Sequence, residues 1–134
     1  MRSETISVTT GGTAVVHDLT HDCERFLRGE SDGLLSVFVP HATAGLAILE
    51  TGAGSDDDLL ESLDALLPRD GRWSHRHGSA GHGRDHVVPA WISPSLVVPV
   101  LDGALTLGTW QSVCLVDTNV DNATRTVRFS FLAG

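Results

Sequence analysis

Apolar and polar residues alternate from Thr5 to Thr10, with Ile6 and Val8 on one side of the chain, and the alternation resumes over Thr13–His17 after Gly11-Gly12. A period of two on both sides of a glycine turn predicts an opening hairpin. At Leu19, Cys23, Phe26 and Leu27 the period becomes helical, with Asp18 or Thr20 placed to cap the start and Gly29 the end. Leu34–Val39 reads as a strand stopped by Pro40, and Leu46–Leu49 as another apolar run. The clearest helix begins at Ser55, whose hydroxyl is placed to cap it, while Asp56, Asp57 and Asp58 oppose the positive end of the helix dipole. Leu59, Leu60, Leu63, Leu66 and Leu67 form its apolar stripe, and Pro68 stops it.

From Pro68 to Gly83 the periodicity disappears. A loop of this length inside a compact domain is usually functional or disordered, and this one carries His75, Arg76, His77 and His82, which favours function. Beyond it, Leu96–Leu101, an Asp102-Gly103 turn and Ala104–Leu107 predict a hairpin, and Val113–Asp117 and Thr124–Leu132 two more strands. Many strands with two principal helices between them predict an α+β fold on a mainly antiparallel sheet, in one compact domain spanning 1–134.

Composition narrows the function. Hydrophobic residues make up 41% and charged residues 19%, a globular balance, and the net charge is −8. An acidic surface argues against nucleic acid or an anionic membrane as a partner, because both require a basic face. All the basic residues are arginine, and the chain lacks lysine and tyrosine, which excludes a Schiff-base lysine, a phosphate-loop lysine and a tyrosine general acid. Cys23 and Cys114 fit no metal-ligand spacing and read as small buried hydrophobes of a reducing compartment. Met1-Arg2-Ser3-Glu4 opens no apolar signal core and no apolar run reaches membrane-spanning length, so the expected location is the cytoplasm.

Histidine, carboxylate and arginine chemistry remains. His41 follows a strand and Pro40, a position at the rim of a sheet. His75, His77, His82 and His86 crowd one stretch, and three imidazoles with one open position are the pattern of a catalytic zinc site. Spacing alone leaves a solvated histidine loop open as the alternative. His82 and His86 would share a helix face, yet Gly81 and Gly83 argue against a helix there. Arg125 and Arg128 point to opposite faces of the last strand, so at most one enters a given pocket, where it would clamp phosphate or carboxylate. Glu50 and Asp117 each end an apolar strand and are candidate acids, bases or orienting groups.

Together these pieces resemble the YjbQ-like family, whose members are often described as secondary thiamine-phosphate synthases. The stretch Pro99-Val100-Leu101-Asp102-Gly103-Ala104-Leu105-Thr106-Leu107-Gly108-Thr109-Trp110-Gln111 resembles its hallmark of a proline-valine strand, an Asp-Gly turn and a Leu-Gly-Thr-Trp-Gln ending. His41-Ala42-Thr43-Ala44-Gly45-Leu46 is similar to its His-Thr-Thr-Ala motif. Arg76-His77 and His86-Val87-Val88-Pro89 resemble its Arg-His and His-Ile-Lys-Ala elements, and Ser95 fits the serine that follows. The match runs through most of the chain and is strongest after residue 85. Ala42, Leu49, His82, Ser93 and Pro89 depart from the pattern, Val116 stands at the usual cysteine and Asp117 at the usual glutamate.

The resemblance implies a small metal-dependent enzyme that joins a pyrimidine diphosphate to a thiazole phosphate and releases diphosphate, an activity that the word "secondary" leaves open as a side reaction. It implies His41, His77 and His86 as ligands of a divalent metal, zinc by donor type, with His75 as loop surface and His82 as a neighbour of the site. Glu50 or Asp117 would orient groups or handle the proton, and Arg76 or Arg125 would contact the anion. It implies as well a homotrimer acting on a small phosphorylated metabolite, with the site near a subunit interface. The alternatives are a non-catalytic trimer that binds a metal or an anionic metabolite, and a metal-assisted hydrolase.

Overall fold

A computed structural model describes residues 1–118 and 120–134. Among the described residues the alternating segments form eight strands: β1 (Arg2–Thr9), β2 (Val15–Asp18), β3 (Gly33–Phe38), β4 (Ala44–Leu49), β5 (Ser95–Leu101), β6 (Ala104–Leu105), β7 (Ser112–Asp117) and β8 (Thr124–Ala133). The helical segments are α1 (Thr20–Phe26), α2 (Ser55–Leu66) and the single turn α3 (Val88–Trp91), with a 3₁₀ turn at His82–His86. Every ladder is antiparallel, in a five-stranded sheet ordered β1-β8-β3-β5-β6 and a three-stranded sheet ordered β2-β7-β4.

Alternation along the strands decides what lies between the sheets. Leu35 and Val37 of β3, Val98 and Val100 of β5, and Val127, Phe129 and Phe131 of β8 point inward from the large sheet. They meet Leu46, Val113 and Leu115 of the small sheet, and Cys23, Phe26 and Leu27 around α1 join the same core. Each such side chain contributes roughly 1.5–3 kcal/mol on full burial, so this layer is the main source of stability. The other face of the small sheet, at Val116, packs on Leu63 and Leu67 of the α2 region and on Val88 and Ile92 beside α3. The layers therefore run large sheet, small sheet, then α2 and α3, while α1 belongs to the core shared by the two sheets. The outer face of the large sheet, with Leu34, Phe38, Val97, Leu101 and Leu132, is exposed.

Three expectations need correction. β1 and β2 are not a hairpin: β1 pairs with β8 and β2 with β7, in different sheets. Alternation is the same whatever the partner, and here residues 10–14 cross between the sheets, with the Thr10 and Gly11 amides donating to Ala123 O. Ser55 does not cap α2; Gly54 takes the cap position with a left-handed backbone, and no side chain bonds there. Of the leucine stripe, Leu63 and Leu67 are buried while Leu66 is exposed, because the helix presents a narrower face to the small sheet. The Asp102-Gly103 hairpin is present as expected, with φ of 54° and 73°, the paired left-handed residues that a tight hairpin turn requires. Cys23 and Cys114 are free and buried, and burial pushes both thiols up to about 12.

Candidate metal centre

The segment after Pro68 has no regular structure of its own, and buried charge holds it. Arg69 donates twice to the Asp85 carboxylate, at 3.1 and 3.0 Å, and again to Thr118 O at 2.8 Å. Arg84 donates to Asp85 at 3.1 Å and to Leu67 O and Asp64 at the end of α2. The Thr118 hydroxyl, just past β7, donates to Asp85 Oδ1 at 2.8 Å. Asp85 is fully buried, so two guanidiniums and a hydroxyl compensate a charge that would otherwise be expensive to bury. Gly83 is needed here for space: a Cβ would collide with the His75 carbonyl and the Trp73 side chain.

This brace brings four imidazoles together. In the 3₁₀ turn, His82 Nε2 and His86 Nε2 are hydrogen-bonded at 2.9 Å. The His75 ring lies 3.8 Å from the His86 ring and 3.9 Å from that of His77, centre to centre. One ligand nitrogen from each of His75, His82 and His86 lies within 4.8 Å of the others. His77 is exposed at the rim, its ring 5.5 Å from that of His82. His82 is 5% exposed, and its Nδ1 stands 2.9 Å from Asp121 Oδ2, off the line of a straight hydrogen bond. Asp121 is oriented by the backbone N–H and hydroxyl of Ser79.

Two observations fit this group to a divalent metal. His75 Nε2 is shut off from solvent without a hydrogen-bond partner among the described residues, an acceptor that a cation would satisfy. Burial first, and then the neighbouring rings, hold His75 and His86 below the ordinary histidine value, which keeps them neutral with lone pairs to offer. An all-imidazole donor set suits zinc and its neighbours better than magnesium.

The residues expected from the sequence are thus divided. His86 is in the cluster and His77 beside it, but His41 is elsewhere, its Nε2 accepting the Thr126 backbone N–H at 2.8 Å. His75 and His82, expected as loop surface and as a neighbour, supply the other two nitrogens, because a 3₁₀ turn forms across Gly81 and Gly83 after all. The His82/His86 spacing was the available signal; nothing in the sequence pointed to Asp121. Arg125 and Asp117 form a buried ion pair at 2.7 and 2.8 Å, with Arg125 donating also to Thr43, and Thr10 donating to Asp117. That pair joins β8 of the large sheet to β7 of the small one. Glu50 follows the end of β4 that pairs with Ser112, so it lies at the opposite end of the small sheet from Asp117. Arg76 is exposed, donates to Trp73 O, and lies between His75 and His77 in sequence.

His41 has a separate consequence. Burial, and secondarily Arg125, lower its pKa, and protonation would remove the acceptor that Thr126 uses. A base with a depressed folded value contributes stability that is present above about pH 6.5 and lost as pH falls through the folded value. Urea unfolding is therefore expected to show a smaller loss between pH 7 and pH 5 for His41→Gln than for the wild type. Equal losses would rule His41 out as a source of the pH dependence.

Residues 4–134 match the family pattern described as UPF0047 protein YjbQ-like. The chain is 54% identical over 134 residues to the UPF0047 protein Rv2556c of Mycobacterium tuberculosis, covering 100% of each. It is 32% identical over 117 residues to the UPF0047 protein YugU of Bacillus subtilis, covering 82% of this chain and 84% of the other. A hypothetical protein of Aeropyrum pernix shares the fold with a TM-score of 0.89 at 33% identity, over 100% of both chains. A YbjQ-like protein of unknown function from Sulfolobus solfataricus shares it with a TM-score of 0.91 at 24% identity, over 99% and 97%. With pattern, identity and fold in agreement over the whole length, the chain belongs to the YjbQ-like UPF0047 family.

Proposed function

We propose that the chain is a divalent-metal-dependent enzyme of small phosphorylated substrates, with zinc held by His75, His82 and His86. The observation that carries this reading is the convergence of three imidazole nitrogens within 4.8 Å, together with a His75 Nε2 that has no hydrogen-bond partner among the described residues. A bound cation would supply Lewis-acid charge for a departing phosphate or diphosphate. Arg76, exposed between His75 and His77 in sequence, is the proposed contact for an anionic substrate, whereas Arg125 is paired with Asp117. The nominal reaction, on the strength of the family resemblance, joins a pyrimidine diphosphate to a thiazole phosphate to give thiamine phosphate and diphosphate. We propose further that three copies associate through the outer face of the large sheet, where Leu34, Phe38, Val97, Leu101 and Leu132 are exposed, since burying such side chains on a neighbour is favourable.

Purified protein is expected to form thiamine phosphate slowly from the two precursors, to stop when treated with chelator, and to recover with zinc. It is expected to run in light scattering at about three times the 14.2 kDa chain mass. If no metal supports turnover and a bound metabolite co-purifies, a non-catalytic binding protein is the better reading. If the diphosphate precursor is merely hydrolysed, the protein is a metal-assisted hydrolase. A monomer overturns the assembly.

A further inference from the structure

We propose that Asp121 is a positioning residue of the histidine cluster: its carboxylate takes the Nδ1–H of His82 and so presents the His82 Nε2 lone pair to a divalent metal. This rests on the metal reading above, but it concerns a residue from a different part of the chain, in the connection between β7 and β8. Asp121 Oδ2 lies 2.9 Å from His82 Nδ1. Ser79 fixes that oxygen through its backbone N–H at 3.1 Å and its hydroxyl at 3.0 Å. Asp85 stands farther from this nitrogen, at 3.6 Å, and is occupied by Arg69, Arg84 and Thr118. The atoms of the Asp121 contact are already at hydrogen-bonding distance, though off the line of a straight bond.

The chemistry follows from the two nitrogens of one ring. A neutral imidazole carries its proton on either Nδ1 or Nε2, and only the unprotonated nitrogen can bind a metal. A carboxylate at Nδ1 favours the Nδ1–H form and raises the basicity of Nε2. In the metal-free protein, His82 Nε2 then accepts from His86 Nε2–H across their 2.9 Å contact. The same tie fastens the histidine loop to the β7–β8 connection.

The test uses Asp121→Ala, Asp121→Asn and wild type, each checked for fold by circular dichroism and titrated with cobalt(II) as a spectroscopic stand-in for zinc. Asp121→Ala is expected to bind about ten- to hundredfold more weakly with an unchanged visible spectrum, and Asp121→Asn, whose amide oxygen still accepts from Nδ1–H, to recover part of that loss. Nitrogen-15 spectra of the metal-free proteins are expected to show His82 as the Nδ1–H form in wild type and as a mixture in Asp121→Ala. Unchanged affinity together with an unchanged tautomer in Asp121→Ala overturns the proposal. A changed cobalt spectrum overturns it as well, since it makes Asp121 a ligand. If wild type binds no cobalt or zinc while the tautomer difference persists, it is the metal reading that fails and the action of Asp121 on His82 that stands.

Discussion

Replacement of His75, His82 or His86 by alanine is expected to abolish stoichiometric zinc binding, whereas His41→Ala leaves the metal-to-protein ratio unchanged. Structural zinc sites bind with about 10–16 kcal/mol at neutral pH, so losing one of three nitrogens removes on the order of 3–5 kcal/mol. At about 1.4 kcal/mol per tenfold, that weakens binding by roughly a hundred- to several thousandfold, enough to lose the ion on dialysis. His77→Ala is expected to be milder, because its ring is exposed and adjoins His75 rather than completing the set. Metal analysis after dialysis, on variants whose folding has been checked, decides the matter. If His75→Ala and His82→Ala keep full metal while His41→Ala and His77→Ala lose it, the ligand set implied by family resemblance is correct and the clustered set is wrong.

Much of the fold was legible because periodicity is a local signal. The inward residues of β3, β5 and β8 alternate strictly, and the turn at Asp102-Gly103 states its own geometry. Partner choice was not legible. Ile6 and Val8 alternate identically whether β1 pairs with β2 or with β8, and what separates the alternatives is the long-range ladder from Arg2↔Phe131 to Thr9↔Thr124. Likewise, five leucines define a stripe on α2, but only the position of the small sheet determines that Leu63 is covered and Leu66 is not.

The site was half legible for a related reason. The crowding of histidines between 75 and 86 marked the region, yet the ligand set depends on how the segment folds, and Gly81 and Gly83 lower helix propensity whatever their context. Propensity loses here because Asp85 holds the turn through Arg69, Arg84 and Thr118, partners up to 33 residues away in sequence. Arg125 and Asp117 show the converse. Asp117 reads as a rim group at a strand end and Arg125 as a charge on the last strand, whereas their mutual bonds allow both to be buried between the sheets.

Asp85→Ala is expected to be among the most destabilising single substitutions in this chain. Removing the carboxylate leaves Arg84, 2% exposed, without its buried counter-ion, and frees Arg69 and Thr118 from the same point. Breaking a buried pair from one side costs about 3–5 kcal/mol, because the desolvation of the surviving charge is no longer offset. Against a typical total of roughly 5–15 kcal/mol that is a large fraction, and for a chain of this size it lowers Tm by on the order of 10–20 °C. The matched control is Asp70→Ala, which breaks the exposed ion pair with Arg72 and is expected to leave Tm almost unchanged, since water solvates both groups. Asp85→Asn should fall between the two, because an amide oxygen can still accept from Thr118 but carries no charge for the guanidiniums. The same brace aligns His82 and His86, so the metal site of Asp85→Ala should weaken even at temperatures where the sheets remain folded. Thermal unfolding followed by circular dichroism, with and without zinc, measures both effects. If Asp85→Ala melts within a degree or two of Asp70→Ala, the histidine loop is held by something other than this buried charge.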